Sequence, residues 1–322
     1  MNKKIAALTL LFALCAGLAP AGAAGYPERP VKMLVGFGAG GITDITARQV
    51  AEEMSQVLGQ PVVVENRSGA GGNIATAELA RAQPDGYTIM LASPGQLVVN
   101  PLTQKSPGFD PRTRFTPVSL VNQSPFVFVV PANSRFRSVQ EMVAWGKTNT
   151  AGLSFASPGL GTTMHIAGEM LQVASGVKAV HVPYRGGAQS TGDLVAGRVD
   201  FMIDSLGAVN AQVQAGQLKV LAVASGRKLA QFPDAPLLSD LYPGLEVSSW
   251  LGVVGPPNLP PEVQRTLVRA VEHATRQPRF IQIVEQRGSE IAPAGPEAFA
   301  THLAKERERV ERTVLQTGLR LD

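Results

Sequence analysis

Gly36-Phe37-Gly38-Ala39-Gly40-Gly41-Ile42-Thr43-Asp44 sits between two segments of different periodicity. Before it, Val31-Lys32-Met33-Leu34-Val35 is a short apolar run, which predicts a strand. After it, Ala47, Val50, Ala51, Met54, Val57 and Leu58 recur at the spacing of one buried helix face over 43–58, and Gly59 is placed to end that helix. A glycine-rich turn between a strand and a helix lets a ligand approach bare backbone. It also aims the unpaired N–H groups of the helix start at that ligand, where the helix dipole favours negative charge. Gly38, Gly40 and Gly41 are therefore candidates for an anion site; the plainer reading is that they only permit a tight turn.

The alternation continues. Pro61 to Glu65 predicts a second strand, 73–82 a short helix, Pro84-Asp85-Gly86 a turn and Tyr87 to Ala92 a third strand. Residues 94–117 break the rhythm and read as an irregular excursion. Strands are expected at 118–121 and 126–130, a helix from Ser138 to Lys147, and a strand at 153–155. Ser157-Pro158-Gly159-Leu160-Gly161-Thr162-Thr163 then repeats the opening pattern before a helix that buries Ile166, Met170 and Val173. Strand 179–182, the turn Tyr184-Arg185-Gly186-Gly187, helix 188–195, strand 199–203, helix 206–215 and strand 219–224 complete a second alternating run. Residues 226–258 read as a returning connection. The remainder reads as helical, broken at 277–278 and 288–296, with a last helix over 296–317 whose run 305–309 forms a solvated face. Strands alternating with helices predict mostly parallel sheets covered on both faces. Two such runs predict an α/β protein of two lobes, with a ligand held between the carboxyl ends of their strands and enclosed by hinge closure. The expected division is 25–123 with 245–322 in one lobe and 124–244 in the other.

The 322 residues carry a formal charge of +4. Asn2-Lys3-Lys4, the apolar stretch from Ile5 to Leu18 and Ala21-Gly22-Ala23 have the layout of a cleaved secretory signal over 1–24. Without Lys3 and Lys4 the 29 basic residues fall to 27 against 25 acidic ones, too even a balance to predict nucleic-acid binding. Cys15, the only cysteine, lies in the signal, so the exported chain is expected to have neither disulfide nor thiol chemistry.

Six segments in order resemble the tripartite tricarboxylate transporter substrate-binding proteins, also called the Bug family. They are Gly40-Gly41-x-x-Asp44-x-x-Ala47-Arg48, Glu65-Asn66-Arg67 with Gly69 to Gly72, and Pro84-Asp85-Gly86-Tyr87-Thr88. Gly159-x-Gly161-Thr162-x-x-His165, His181-Val182-Pro183-Tyr184-x-Gly186-Gly187 and Trp250-x-Gly252 follow. The chain departs from the family pattern at Ala39 and Ser68, where proline is usual, at Thr162, where serine is common, and at Ile166, where leucine follows the histidine. None of these changes removes a donor. The resemblance implies a periplasmic-binding-protein-like fold of the type II kind and a periplasmic receptor, a monomer, that captures a small carboxylate for membrane transporter subunits. It further implies that the carboxylate is held by backbone and hydroxyl groups of two facing loops. On this chain those are Phe37 to Asp44, with Thr43, and Ser157 to Thr163, with Gly161. Dicarboxylates, amino acids and aromatic acids all satisfy that chemistry.

Asp44 has two readings: a cap of the first helix, or a group that fixes waters or an ammonium on the ligand. A free carboxylate 4 Å from an anionic ligand would repel it by about 4 kcal/mol at an effective dielectric of 20, so Asp44 must be paired, turned away, or facing a cation. Thr162 and Thr163 bring hydroxyls to the second helix start. His165 and His181 read as structural. Asp204 ends a strand on the edge expected to face the cleft, and Tyr184 lies beside a turn at a similar edge; both are candidate ligand contacts. Arg67 and Arg185 are the arginines in these loops, and either one pairing a second carboxylate competes with a plain surface role. No histidines and carboxylates sit at metal-ligand spacing, so no metal and no cofactor are expected. Gly36-x-Gly38-x-x-Gly41 with Glu65 matches a dinucleotide fingerprint in form, which leaves a dinucleotide-dependent enzyme as a rival. The secretory signal argues against it. No serine stands in a Gly-x-Ser-x-Gly elbow, and catalysis is not expected. A sensor that presents its ligand to a membrane signalling protein shares the capture chemistry of a transport receptor and stays open.

Overall fold

The computed structural model describes residues 25–110, 113–149, 152–184 and 187–320; the expected signal with Cys15, and the turn residues Arg185 and Gly186, lie outside them. The first run gives β1 (Val31–Val35), α1 (Ile42–Leu58), β2 (Val62–Asn66), α2 (Asn73–Ala80) and β3 (Thr88–Ala92). β1 pairs in parallel with β2 on one side and β3 on the other. Its side chains alternate between two cores: Val31, Met33 and Val35 pack with Ala47, Val50, Ala51, Met54 and Leu58 of α1, while Leu34 packs with Ala75 and Leu79 of α2. That two-sided burial is why the strand reads as a continuous apolar run. Val57, expected on the buried face of α1, is 43% exposed. Gly59 ends the helix at φ +64°, where a side chain would be strained.

The second run gives β4 (Thr116–Pro131), α3 (Val139–Thr148), β5 (Leu153–Ser157), α4 (Thr163–Ser175) and β6 (Ala179–Pro183). α5 (Gly187–Val195), β7 (Met202–Ser205), α6 (Leu206–Gln214) and β8 (Leu218–Val223) follow. The return contains β9 (Ser248–Gly255), α7 (Pro261–Thr275), α8 (Pro278–Gln286), β10 (Glu290–Ala294) and α9 (Pro296–Thr317). Three expectations are corrected. Strands 118–121 and 126–130 are one strand, because the polar stretch Asn122-Gln123-Ser124-Pro125 stays on the ladder opposite Leu251 to Ser248. β9 lies within what reads as a connection, and β10 within what reads as a break between helices. Both are flanked by the prolines and glycines that mark turns, and their pairing is supplied by β4, distant in sequence.

β4 joins the lobes. Up to Pro125 it pairs antiparallel with β9 and β10; from Phe126 it pairs antiparallel with β7 and β8. β9 in turn pairs antiparallel with β3, so the sheet of the first lobe runs β10-β4-β9-β3-β1-β2. β5 and β6 pair in parallel, and a parallel bridge from Phe155 to Phe201 ties them to the β7 side.

α9 packs back over this junction. Phe299 is fully buried, edge-on to Trp250 of β9 at 5.3 Å, and lies against Gly252. Run 305–309, expected to be solvated, turns Glu306 inward: it is 7% exposed and accepts a hydrogen bond from Trp250 Nε1 at 2.6 Å. Glu308 does pair with Arg312, at 3.2 Å. Burial pushes the Glu306 carboxyl up to about 7, against the opposing pull of the Trp250 hydrogen bond and Arg309; Glu246 reinforces the rise. His302 Nε2 stands 3.9 Å from it.

Two outcomes follow. A carboxyl whose value is raised on folding stabilises most below its unfolded value and loses that contribution as pH rises through its folded one. Wild type should therefore lose stability relative to Glu306→Gln between pH 4.5 and pH 7, by up to about 1.4 kcal/mol per pH unit. Glutamine keeps the acceptor for Trp250 without the titration. Denaturation curves of both proteins across that range check this, and parallel pH profiles would contradict it. Separately, a Cβ at position 252 would overlap the Phe299 ring, within 2.7 Å of Cε1. Gly252→Ala should cost about 1–3 kcal/mol of stability by overpacking, measured by the same denaturation.

Candidate functional site

A cleft of about 530 Å³ opens between the lobes. One wall carries Phe37, Ile42 and Thr43 from the β1–α1 loop and helix start; the facing wall carries Leu160 to Met164 from the β5–α4 loop and helix start. Ala70, Gly71 and Ser93 to Gly95 extend the first wall. The crossing strands close the cleft with Asn122 and Ser124 of β4 and Ser249, Trp250 and Leu251 of β9.

The two helix starts share one local design. In the first, Gly41 is the N-cap and offers no side chain. The Asp44 carboxylate, one turn along, reaches back to accept the Gly40 N–H at 2.9 Å, and the Gly41 N–H donates to the Gly38 carbonyl at 3.4 Å. In the second, His165 Nδ1 reaches back to accept the Gly161 N–H at 3.1 Å, and Thr162 caps α4 by accepting the His165 N–H at 3.3 Å. The N–H groups of Gly40 and Gly41 in one loop, and of Gly159 and Gly161 in the other, are fixed internally. The first-turn N–H groups of Ile42 and Thr43, and of Thr163 and Met164, have no carbonyl one turn back to reach. All four residues line the cleft.

Asp44 is therefore neither a side-chain cap of the usual kind nor a free charge. It is buried, and Arg48 donates to it through Nε at 3.1 Å and Nη2 at 2.9 Å, with Asn66 Nδ2 at 3.0 Å. Asn66 Nδ2 also donates to the Phe37 carbonyl at 3.0 Å, and Arg48 to Asn66 Oδ1 at 3.1 Å. Burial alone would push the Asp44 carboxyl up, but the hydrogen bonds from Arg48, Gly40 and Asn66 outweigh it and hold it below the usual carboxylate range. The paired charge is kept from the cleft, which removes the repulsion an anionic ligand would otherwise meet. Gly40 holds φ +80°, a conformation that favours glycine, whereas Gly41 is in extended backbone.

The second loop is braced from beneath. Ser157 is fully buried; its Oγ accepts the Gly159 N–H at 3.2 Å and lies 2.7 Å from His181 Nε2. His181 is stacked between Phe155 at 4.8 Å and His165 at 3.9 Å. Burial, then the neighbouring His165, pushes the His181 value down to about 4, so this ring is neutral at ordinary pH.

Of the sequence candidates, Phe37, Thr43, Gly161, Thr162 and Thr163 come together on the cleft lining. Gly38, Gly40 and Gly41 shape its lip without lining it. Asp44 and Ser157 are spent on holding the loops. Tyr184 does not line the cleft: its hydroxyl donates to Asp193 at 2.8 Å. Asp204 does not either. It is fully buried, with Oδ1 accepting the Ser205 N–H at 2.6 Å, and burial pushes its carboxyl up to about 7. Arg67 pairs with Glu65 and Glu78 away from the cleft. Sequence reasoning missed Asn122, Ser124 and Ser249 on the crossing strands, whose position depends on long-range pairing. It also missed Ser93 to Gly95, at the edge of the stretch read as irregular. Asn100, also on the lining, holds the Gly71 carbonyl at 3.1 Å and Asn73 at 2.7 Å, and so fixes the adjoining loop.

Comparison with known proteins agrees with this arrangement. Residues 46–319 match the family model of the tripartite tricarboxylate transporter family receptor, TctC. The UPF0065 protein in the tcbD-tcbE intergenic region of Pseudomonas sp. (strain P51) is 37% identical over 296 residues, which cover 91% of this chain and 88% of that protein. The structure of the periplasmic binding protein BugD is 36% identical, with a TM-score of 0.73 over 92% of this chain and 99% of that one. Rpa4515 of R. palustris, solved with adipate, is 31% identical, with a TM-score of 0.76 over 92% of this chain and 99% of that one. Carrying the two-lobe fold and matching the family model over most of its length, the chain belongs to the tripartite tricarboxylate transporter family of receptors, periplasmic solute-binding proteins of the TctC or Bug type.

Proposed function

We propose that this receptor, exported to the periplasm by cleavage of residues 1–24, captures a small carboxylate between its lobes and hands it, unchanged, to the subunits of a membrane transporter. The observation that carries the proposal is the pair of helix starts facing one cleft from opposite lobes, each with first-turn N–H groups that the helix itself does not use. A carboxylate accepts such donors with both oxygens. Hydrogen bonds to a charged group contribute about 1.5–3 kcal/mol each, and two helix dipoles add to them. Thr43 and Thr163 supply hydroxyls beside those donors. Gly161 and Thr162 hold the second loop against the ligand, and Phe37 covers its apolar side. Gly38, Gly40 and Gly41 keep the first lip low enough for close approach. The adipate held by Rpa4515 is in keeping with this ligand class. The proposed lobe boundaries, 123/124 and 244/245, fall close to the change of β4 partners at 125/126, and rotation about the crossing strands closes the cleft and expels water.

Proline at the first position of a helix fits the backbone but removes its N–H. Ile42→Pro deletes one proposed N–H donor in the first lobe, and Thr163→Pro deletes one in the second together with the Thr163 hydroxyl, each where the preceding residue is already extended. The parent protein is first stripped of carried ligand and screened by thermal shift against dicarboxylates, tricarboxylates, amino acids and aromatic acids. With the best acid, each proline variant should keep its far-ultraviolet spectrum and lose about 10–100-fold in affinity by calorimetry. Unchanged affinity in both variants would contradict the proposal.

A further inference from the structure

Two glycine backbones meet across the lobes beside the crossing strands. Gly207 lies in the first turn of α6, whose Leu206 and Val209 are buried in the core of the second lobe with Val127, Val129 and Met202. Gly288 lies in the turn after α8, whose Phe280 and Val284 are buried in the core of the first lobe with Met33, Val50 and Met54. A Cβ on Gly207 would fall on the Arg287 carbonyl oxygen, with the carbonyl carbon at 3.1 Å. A Cβ on Gly288 would meet the Gly207 nitrogen at 3.0 Å and its Cα at 3.1 Å. Of the described glycines, these are the two whose nearest neighbours are backbone atoms of the other lobe.

Gly288 also has a conformational reason to be glycine, a φ of +65°. Gly207 has none: it is in ordinary helical backbone, where glycine weakens a helix relative to alanine. What its missing side chain provides is room for the Arg287 carbonyl. The obstacle is backbone, so no side-chain rotation relieves an added Cβ. The turn itself is held to the first lobe. Arg287, Gly288 and Ser289 N–H donate to the Val284 and Glu285 carbonyls at 2.9–3.2 Å, and Glu290 pairs with Gln123 on the β4 ladder. Displacement of one lobe against the other is therefore the open route to relief. The same segment makes two more contacts to the crossing and to the second lobe, the Ser289 hydroxyl with Ser124 at 2.6 Å and Glu290 with Arg227. α6 starts at the carboxyl end of β7, and the parallel bridge from Phe155 to Phe201 puts that end on the same edge as the β5–α4 lip of the cleft.

We infer that Gly207 is a positioning residue for ligand capture: by letting α6 rest backbone to backbone on the Arg287–Gly288 turn, it sets the lobe separation at which the two helix starts act on one ligand. This rests on the carboxylate reading above. A side chain at 207 holds the lobes apart and lowers the share of molecules in the binding arrangement, and apparent affinity falls in the same proportion.

The test compares wild type with Gly207→Ala and with Gly192→Ala, a control on α5 whose added Cβ meets nothing within 4 Å. Cys15, the only cysteine, lies in the segment read as a cleaved signal, so cysteines placed at exposed Val63 of β2 and Val180 of β6, one per lobe, carry spin labels in the exported protein. Without ligand, pulsed electron resonance should show the label distances displaced in Gly207→Ala and unmoved in Gly192→Ala. Succinate, citrate, glutamate and benzoate are then titrated by calorimetry. The acid that wild type binds most tightly should lose ~10-fold or more in affinity with Gly207→Ala and stay within about twofold with Gly192→Ala. Unmoved label distances in Gly207→Ala overturn the inference, as does affinity that is kept or raised. A Gly207→Ala protein that does not fold overturns it too, because the contact then belongs to the fold and not to the lobe spacing. If no acid of these or of the wider panel binds wild type, the carboxylate reading fails and the label distances alone decide the spacing.

Discussion

Two reach-back hydrogen bonds, Gly40 N–H to the Asp44 carboxylate and Gly161 N–H to His165 Nδ1, hold the two lips of the cleft in the same way. Each spends a side chain one turn into a helix on fixing the glycine just ahead of it. The loop is then rigid without any side chain standing between the helix start and the ligand. An anion site made of backbone N–H groups needs this arrangement, because its donors gain strength from being aimed in advance and not from carrying charge. The side chains that supply the bracing are different, an anion paired with Arg48 in one lobe and the stacked imidazole of His165 in the other. Neither places net charge in the cleft.

That bracing explains why the family-like segments lie where they do. Asp44 and Arg48, one turn apart on α1, form one network with Asn66 at the end of β2 and the Phe37 carbonyl. Ser157, His165 and His181 form another, closed by the Phe155 ring. Trp250 and Gly252 meet α9: the indole is pinned by Glu306 and Phe299 fills the space a side chain at 252 would need. The residues that make the family pattern visible are thus mostly those that hold the loops.

Much of the fold was legible because local periodicity and tertiary role coincide. β1 and, apart from Val57, α1 are buried on the faces their spacing implies, and the final helix begins and ends where expected. The elements that escaped, β9 and β10, have their partners on β4, and nothing local marks them against the surrounding prolines and glycines. The same limit applies to the site. The glycine loops and threonines at the helix starts could be read from pattern, whereas Asn122, Ser124 and Ser249 enter the cleft only because β4 and β9 cross there. Asp204 and Tyr184 sit at plausible strand ends but turn into the protein, a choice decided by packing that the sequence does not spell out. Glu306 inverts the usual expectation for a charged run on a terminal helix, since the indole of a strand 56 residues away draws it inward.

A crystal structure of the protein with its best-binding acid tests the central claim most directly. The account predicts one carboxylate seated between the lobes, with its oxygens about 2.7–3.1 Å from first-turn N–H groups of both α1 and α4 and with Asp44 still bound to Gly40 and Arg48. A carboxylate held chiefly by an arginine or lysine side chain, or lying against one helix start alone, would contradict it.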